Sequence, residues 1–329
     1  MEALLLPAGA VAIGVLLAVQ ASVNPRLARA VGTPYGGATV QLWVAVALLV
    51  LTAVAAGAFD AFGRLGAAPG WYLLGGLASP LYITCGILLF PRIGALAAGG
   101  MFVAGQVLGS VALDVFGLLG LERQPATPHL VAGAVLVLAG IGVVVRGQAT
   151  ATPTAALASS APRGDRRTPS LAGVADGRAG AGWIALGLVA GAALPFQGAV
   201  NARLRTVLVD PITVALTSFV VAAVTITLVL AVLRMTGAAS PLHLAGVRTM
   251  PWWGWLGALC AVLYVTGTFL LIPRISAAVT IVLTVTGQQL AGAVIDARGA
   301  FGLPRRPVTM LRALGLALLL GGCLLVELA

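Results

Sequence analysis

One stretch of this sequence occurs twice, and the repeat constrains the fold more than any other feature. Residues 20–27 read QASVNPRL, and residues 197–204 read QGAVNARL. Further pairs follow in the same order at a shared spacing: Tyr82 with Tyr264, Arg92 with Arg274, Gln106 with Gln288, and Asp114 with Asp296. A unit that is written twice predicts a fold built from two similar halves.

Both halves consist mainly of long apolar runs. Hydrophobic residues make up 60% of the 329 residues and charged residues only 9%, whereas a soluble domain usually carries about 25% charged residues. Because about 20 apolar residues cross a bilayer as a helix, the composition predicts an all-α, polytopic membrane protein.

Each half contains five runs of this length, so we predict ten transmembrane helices. Their approximate limits are 4–23, 38–59, 71–90, 93–113 and 129–146, then 182–200, 211–233, 252–272, 275–295 and 309–328. Five is an odd number, so the second unit (182–329) enters the membrane from the opposite side to the first (1–146). The sequence therefore predicts two inverted five-helix repeats. Because proline disfavours helix in the preceding residue, Pro91 and Pro273 each predict a tight helical hairpin.

The two units are joined by a segment of different character. Residues 147–181 are rich in Ala, Thr, Ser, Pro and Gly and have no apolar periodicity, which predicts a disordered linker. More arginines flank the membrane on the linker's side than on the other side. The positive-inside rule therefore predicts a cytoplasmic linker and outward-facing termini.

Residues that carry chemistry are scarce in the predicted spans. The nine acidic residues all lie at termini, in loops or at span ends. The three cysteines and two histidines lack the spacing of metal ligands, and patterns such as HExxH and GxSxG do not occur. We therefore expect no enzymatic activity, no metal and no cofactor. Asp114 and Asp296 end matched spans, so they either couple transport to an ion or fix the turns that follow.

Neutral polar side chains inside the spans are the remaining candidates for function. They are Gln20, Tyr82, Gln106, Gln197, Tyr264 and Gln288. In hydrocarbon each needs a hydrogen-bond partner, which either a neighbouring helix or a substrate in a shared cavity supplies. For the second case we predict two layers, Gln20 with Gln288 toward the cytoplasm and Gln197 with Gln106 toward the exterior. The two tyrosines would lie between the layers.

Four matched motifs together resemble a known family. The Q-x-x-V-N-x-R-L element, the P-R-I turn, the G-Q pair and the D-x-x-G-x-x-G-L end are similar to those of the YdcZ-like family. That family is placed in the drug/metabolite transporter superfamily, and this chain resembles its fused ten-span form. The resemblance implies a transporter-like protein of a prokaryotic cytoplasmic membrane. Small multidrug resistance relatives have a glutamate in their first span, where this chain has Gln20 instead.

These features together predict a secondary transporter or facilitator of a small metabolite. It would work by alternating access between the inverted repeats. The alternative is a non-transporting membrane scaffold or a lipid-interacting protein. The expected partners are a small-molecule substrate and the lipid bilayer, and nucleic acid is not expected. The sequence leaves the substrate, the coupling ion, the direction and the oligomeric state open.

Overall fold

The computed structural model describes residues 2–149, 177–242, 244–302 and 309–327, and the regular structure in these ranges is entirely helical. The α-helices are α1 Glu2–Val31, α2 Pro34–Ala56, α3 Ala78–Phe116, α4 Pro128–Ala149, α5 Gly177–Leu208, α6 Pro211–Met235, α7 Leu256–Ile275, α8 Ala277–Arg298 and α9 Met310–Glu327. Short 3-10 segments join several of them. Most of the predicted linker lies outside the described residues, and α4 and α5 extend into its two ends.

Six segments of these helices are long and apolar enough to cross a membrane. They are Leu5–Val31, Pro34–Ala56, Ala185–Leu208, Pro211–Met235, Trp252–Ile275 and Ala277–Ile295. Their outer faces carry large apolar side chains, such as Leu51 and Leu228, which are 66% and 61% exposed. A soluble protein would bury such faces, whereas in a bilayer lipid covers them. The chain is therefore a multi-pass helical membrane protein.

The third and fourth predicted spans are joined differently in the two halves. In the second half α7 ends at Ile275, and Ser276 takes a positive φ of 68° before α8 begins. In the first half α3 continues as one helix from Ala78 to Phe116, so the hairpin predicted at Pro91 is wrong. Proline removes one helical hydrogen bond, but its fixed φ of about −65° is compatible with a helix. A helix can therefore bend at a proline and continue.

The helices of the two halves pack against one another. Helix α1 packs on α8, and α3 packs on α5. Helix α2 packs on α6, and α4 packs on α9. The largest apolar cluster accordingly takes Leu42 from α2, Phe219 from α6 and Phe269 from α7. The two halves therefore share the largest apolar cluster.

Glycines allow two of these helix pairs to cross closely. A Cβ added at Gly14 of α1 or at Gly287 of α8 would overlap a backbone carbonyl of the opposite helix. Gly191 of α5 and Gly105 of α3 are placed in the same way. Small residues commonly permit such close approach between membrane helices. The glycine of each Gly-Gln pair thus has a packing role.

Candidate functional site

A small cavity lies between the two halves, enclosed by α1, α2, α3, α5, α6 and α7. The space open to a water molecule's centre is about 30 Å³, which is enough for one or two waters. Most of its lining consists of residues that are matched in the repeat: Leu17 with Leu194, Leu42 with Phe219, Tyr82 with Tyr264, and Ile83 with Val265. The cavity is therefore built almost equally from both halves.

Three of the six predicted site residues meet at this cavity. Gln20, Tyr82 and Tyr264 all line it. The ring of Tyr82 packs against Phe102, with ring centroids 4.8 Å apart. Tyr264 is buried, and its hydroxyl has no hydrogen-bond partner among the described residues. A ligand in the cavity would therefore meet an amide and two phenol groups.

Gln197 lies next to the cavity, and Ser79 of the lining holds its amide. The Ser79 Oγ is 3.0 Å from Gln197 Nε2 and 3.1 Å from Gln197 Oε1. Across the cavity, the position matched to Ser79 is Ala261, which has no hydroxyl. Gln20 makes no side-chain hydrogen bond within the described residues. Sequence matching missed Ser79 because its counterpart is apolar.

Gln106 and Gln288 do not line this cavity. Gln106 is fully buried, and neither its Oε1 nor its Nε2 has a partner among the described residues. Gln288 is half-buried, and its Oε1 is likewise unpartnered there. Near Gln106, Val103 and Val107 join an apolar cluster with residues of α8. The two polar layers therefore remain a prediction.

The asparagines of the duplicated stretch lie at contacts between the halves. The Oδ1 of Asn24 in α1 faces Gly257 at the start of α7, at a distance that leaves no room for a Cβ. The Oδ1 of Asn201 in α5 faces Gly75, just before α3, in the same way. The amide of Asn201 also donates to Ser218 Oγ at 3.0 Å. This part of the repeat therefore serves the packing of one half on the other.

Asp114 makes a contact that joins the halves at one end of the bundle. Its side chain is 2% exposed, and its Oδ1 accepts the backbone N–H of Ala277 at 3.1 Å. Its Oδ2 accepts the N–H of Ala278. A carboxylate that caps the first turn of α8 satisfies N–H groups that lack a partner within the helix. The side chain of Asp296 lies outside the described part of the structure, so a coupling role for either residue stays a prediction.

Within the described residues, no group of three or more His, Cys, Asp or Glu side chains is placed to hold a metal ion. What the cavity offers instead is neutral hydrogen-bonding groups in apolar walls. Such a surface binds and orients a ligand by hydrogen bonds and apolar contact.

Comparison with known proteins gives a family and a fold. A family model described as "Putative inner membrane exporter, YdcZ" matches residues 5–143 and again residues 182–325. A crystal structure of another protein is similar with a TM-score of 0.60 at 17% identity, over 100% of this chain and 98% of that chain. At that identity the likeness shows the fold alone. No curated protein matches the chain. The chain therefore belongs to the YdcZ family of drug/metabolite transporters, and its location is the inner membrane.

Proposed function

We propose that this protein is a secondary transporter that exports a small, uncharged polar metabolite by alternating access between two inverted repeats. The observation that carries the proposal is the cavity between the halves, which matched residues of both repeats enclose. The family description, an inner membrane exporter, agrees with this function and supplies the direction. A site at the interface of two repeats is where transporters of this kind bind their substrates.

The pattern of helix contacts supports two repeats related by a two-fold axis. Exchanging the two halves turns the contact between α1 and α8 into the contact between α5 and α3. The same exchange returns the α2–α6 and α4–α9 contacts to themselves. A two-fold relation requires such reciprocal contacts. If the third and fourth predicted spans, which α3 carries as one helix, cross the membrane separately, each half has five crossings and the axis lies in the membrane plane. The arginine distribution favours a linker in the cytoplasm.

The chemistry of the cavity supports an uncharged substrate. Its polar groups are the Gln20 amide, the Ser79 hydroxyl and the hydroxyls of Tyr82 and Tyr264. These groups donate and accept hydrogen bonds but offer no formal charge at neutral pH. A charged ligand would lose its hydration on entering the cavity and would find no opposite charge there. The free energy of this desolvation is unfavourable inside a bilayer. Amide, hydroxyl and carbonyl groups on the substrate would suit this surface.

The size of the cavity supports movement of the halves. A space of about 30 Å³ admits water but no metabolite, since small-molecule sites usually measure about 300–1,000 Å³. We therefore interpret the structure as a closed state of the transport cycle. Separation of the halves at one end would enlarge the cavity and open it to one side of the membrane.

Flux measurements in proteoliposomes test the proposal. The purified chain is reconstituted and exposed to a panel of labelled uncharged, zwitterionic and cationic metabolites. We expect saturable flux of an uncharged polar solute, which Tyr82→Phe and Tyr264→Phe reduce. Leu263→Ala is the control, because Leu263 is next to Tyr264 in sequence but 44% exposed on the outer face. The alternative function, a non-transporting scaffold, predicts no protein-dependent flux of any solute in the panel.

A further inference from the structure

Two turns with the same unusual backbone conformation follow the helices that carry the Gly-Gln pairs. After α3, Leu119 has φ 55° and ψ 23°. After α8, Phe301 has φ 57° and ψ 25°. A glycine with φ 73° follows each of them. Large side chains rarely adopt the left-handed region, so the two halves share an unusual turn at the matched position of each repeat.

An arginine of the opposite half occupies the first turn. The Nε of Arg203 in α5 donates to the carbonyl oxygen of Leu119 at 2.6 Å. Its guanidinium also lies so close to Gly120 that a Cβ there would overlap it. A hydrogen bond from a charged donor is stronger than a neutral one. We call this contact the Arg203 clasp, and the end of the bundle that holds it the Arg203 end.

The second turn has no such occupant within the described residues. Arg26 in α1 is the match of Arg203 in the duplicated stretch. It is exposed and makes no hydrogen bond or ion pair with the described part of the chain. Around Gly302 of the second turn, the described residues leave open space. The donor of an equivalent contact, Arg26, and its acceptor, the carbonyl oxygen of Phe301, are thus both present at this end of the bundle, which we call the Arg26 end. In the described state no hydrogen bond joins them.

Further contacts close the Arg203 end. Leu113 of α3, Ala199 of α5 and Ile272 of α7 form an apolar cluster there, and Leu119 packs against it. The Asp114 contact to the first turn of α8 lies at the same end. Helices from both halves are therefore held together at the end of the bundle where Arg203 contacts the turn at Leu119.

We propose that Arg203 and Arg26 are alternating clasps that control access to the cavity, an inference that rests on the proposed function. In the state described, the Arg203 clasp holds its end shut. When the halves rock, Arg203 leaves Leu119, and Arg26 binds the carbonyl oxygen of Phe301. Closing one end then accompanies opening of the other, which is the condition for alternating access. In each half, the duplicated arginine is the donor of a clasp and the duplicated turn of the other half is its acceptor.

Thiol labelling from each side of the membrane tests this inference without a known substrate. The full chain carries Cys85→Ala, Cys260→Ala and Cys323→Ala, and Ala261→Cys supplies one reporter thiol in the cavity. A charged, membrane-impermeant thiosulfonate reagent is added to sealed vesicles of either orientation. The readout is the ratio of labelling rates from the two sides, and the parent is expected to label faster from the Arg26 end.

Removal of each arginine is expected to move this ratio in opposite directions. Arg203→Gln removes a hydrogen bond from a charged group, so the ratio should shift about tenfold or more toward the Arg203 end. Adding Arg26→Gln to that variant removes the second clasp and should return the ratio toward the parent value. Arg203→Lys keeps a charged donor and should shift the ratio less than Arg203→Gln does.

Two nearby arginines provide matched controls. Within the described residues, the Nε of Arg205 has no partner, and Arg29 donates to Pro25 of its own helix at 3.1 Å. Arg205→Gln and Arg29→Gln should leave the ratio unchanged. An equal effect of Arg203→Gln and Arg205→Gln, or no return in the double variant, would overturn the inference. The single variant Arg26→Gln keeps the test available if Arg203→Gln does not fold, because Arg26 makes no hydrogen bond or ion pair with the described residues. A shift toward the Arg203 end in this variant would contradict the clasp.

The labelling result is independent of the flux result. Opposite shifts in a protein that transports no solute of the panel would support the clasps and count against the proposed function. Flux with an unchanged labelling ratio in every arginine variant would support the proposed function and count against the clasps.

Discussion

Gln20 and Gln197 occupy matched places in the two halves, yet their surroundings differ. Ser79 binds the amide of Gln197, whereas Gln20 faces a cavity in which the matched residue is Ala261. One methyl group in place of a hydroxymethyl group therefore separates a bound amide from one that is available to a ligand. Duplication therefore sets where a side chain lies, whereas an unmatched neighbour sets which hydrogen bonds it can make.

The helix crossings show the opposite behaviour, because they are alike in both halves. Gly14 and Gly287 permit one crossing, and Gly191 and Gly105 permit the other. Packing is thus the part of the repeat that has stayed symmetric. The halves differ at Ser79 and Ala261 of the cavity lining, in the continuity of α3 where α7 and α8 are separate helices, and at the two ends of the bundle.

The largest effect on stability is expected from substitutions at the two symmetric helix crossings. Gly287→Ala and Gly105→Ala each place a methyl group against a backbone carbonyl of another helix. Overpacking of this kind costs about 1–3 kcal/mol, so both variants should lower the melting temperature in detergent by a similar amount. Gly292→Ala is the control, since the space around Gly292 is open in the described structure. A much larger loss at one crossing than at the other would show that the halves do not pack alike.

An intermediate effect is expected from the Asp114 contact. Asp114→Ala leaves the N–H groups of Ala277 and Ala278 without their acceptor. Hydrogen bonds to a charged group contribute about 1.5–3 kcal/mol, so amide exchange in the first turn of α8 should accelerate. Asp60→Ala removes an exposed carboxylate and should leave that exchange unchanged. Unaltered exchange in Asp114→Ala would contradict the capping role.

The smallest effects are expected from substitutions next to the two glutamines. Ser79→Ala removes the partner of Gln197 and should destabilise the protein by about 0.6 kcal/mol. Ala261→Ser offers Gln20 an equivalent hydroxyl, so it should make the halves alike and weaken substrate binding. Thermal unfolding and the KM for flux measure the two effects. Tighter substrate binding in Ala261→Ser would show that the ligand does not depend on a Gln20 amide without a partner in the protein.

The helical, multi-pass fold could be predicted from the sequence because it depends on properties of single segments. Long apolar runs specify membrane helices wherever they occur, and the duplicated motifs identify the family. The break between the third and fourth spans could not be predicted from proline alone. In α3 the helix continues to Phe116, whereas in the second half the break falls at Ser276, after the proline.

The composition of the cavity could be predicted only in part. Spacing along a helix shows that Gln20, Tyr82 and Tyr264 are polar groups inside apolar runs. Spacing does not show which face of each helix points toward the cavity. The rotation of the helices about their axes places these three residues at the cavity and leaves Gln106 away from it. Ser79 carried no signal, because a search for matched residues passes over a serine whose counterpart is alanine.

A transported solute is expected to cross through the cavity between the halves and to contact Gln20 there. Flux of the best solute of the panel through Gln20→Leu proteoliposomes, measured beside the parent and Leu263→Ala, tests it most directly. We expect Gln20→Leu to lower kcat/KM about tenfold or more, since the loss of a hydrogen bond to a buried ligand leaves its polar group unpaired. Leu263→Ala should transport like the parent. Equal flux through the parent and Gln20→Leu, with both proteins folded and inserted, would show that the solute does not use Gln20.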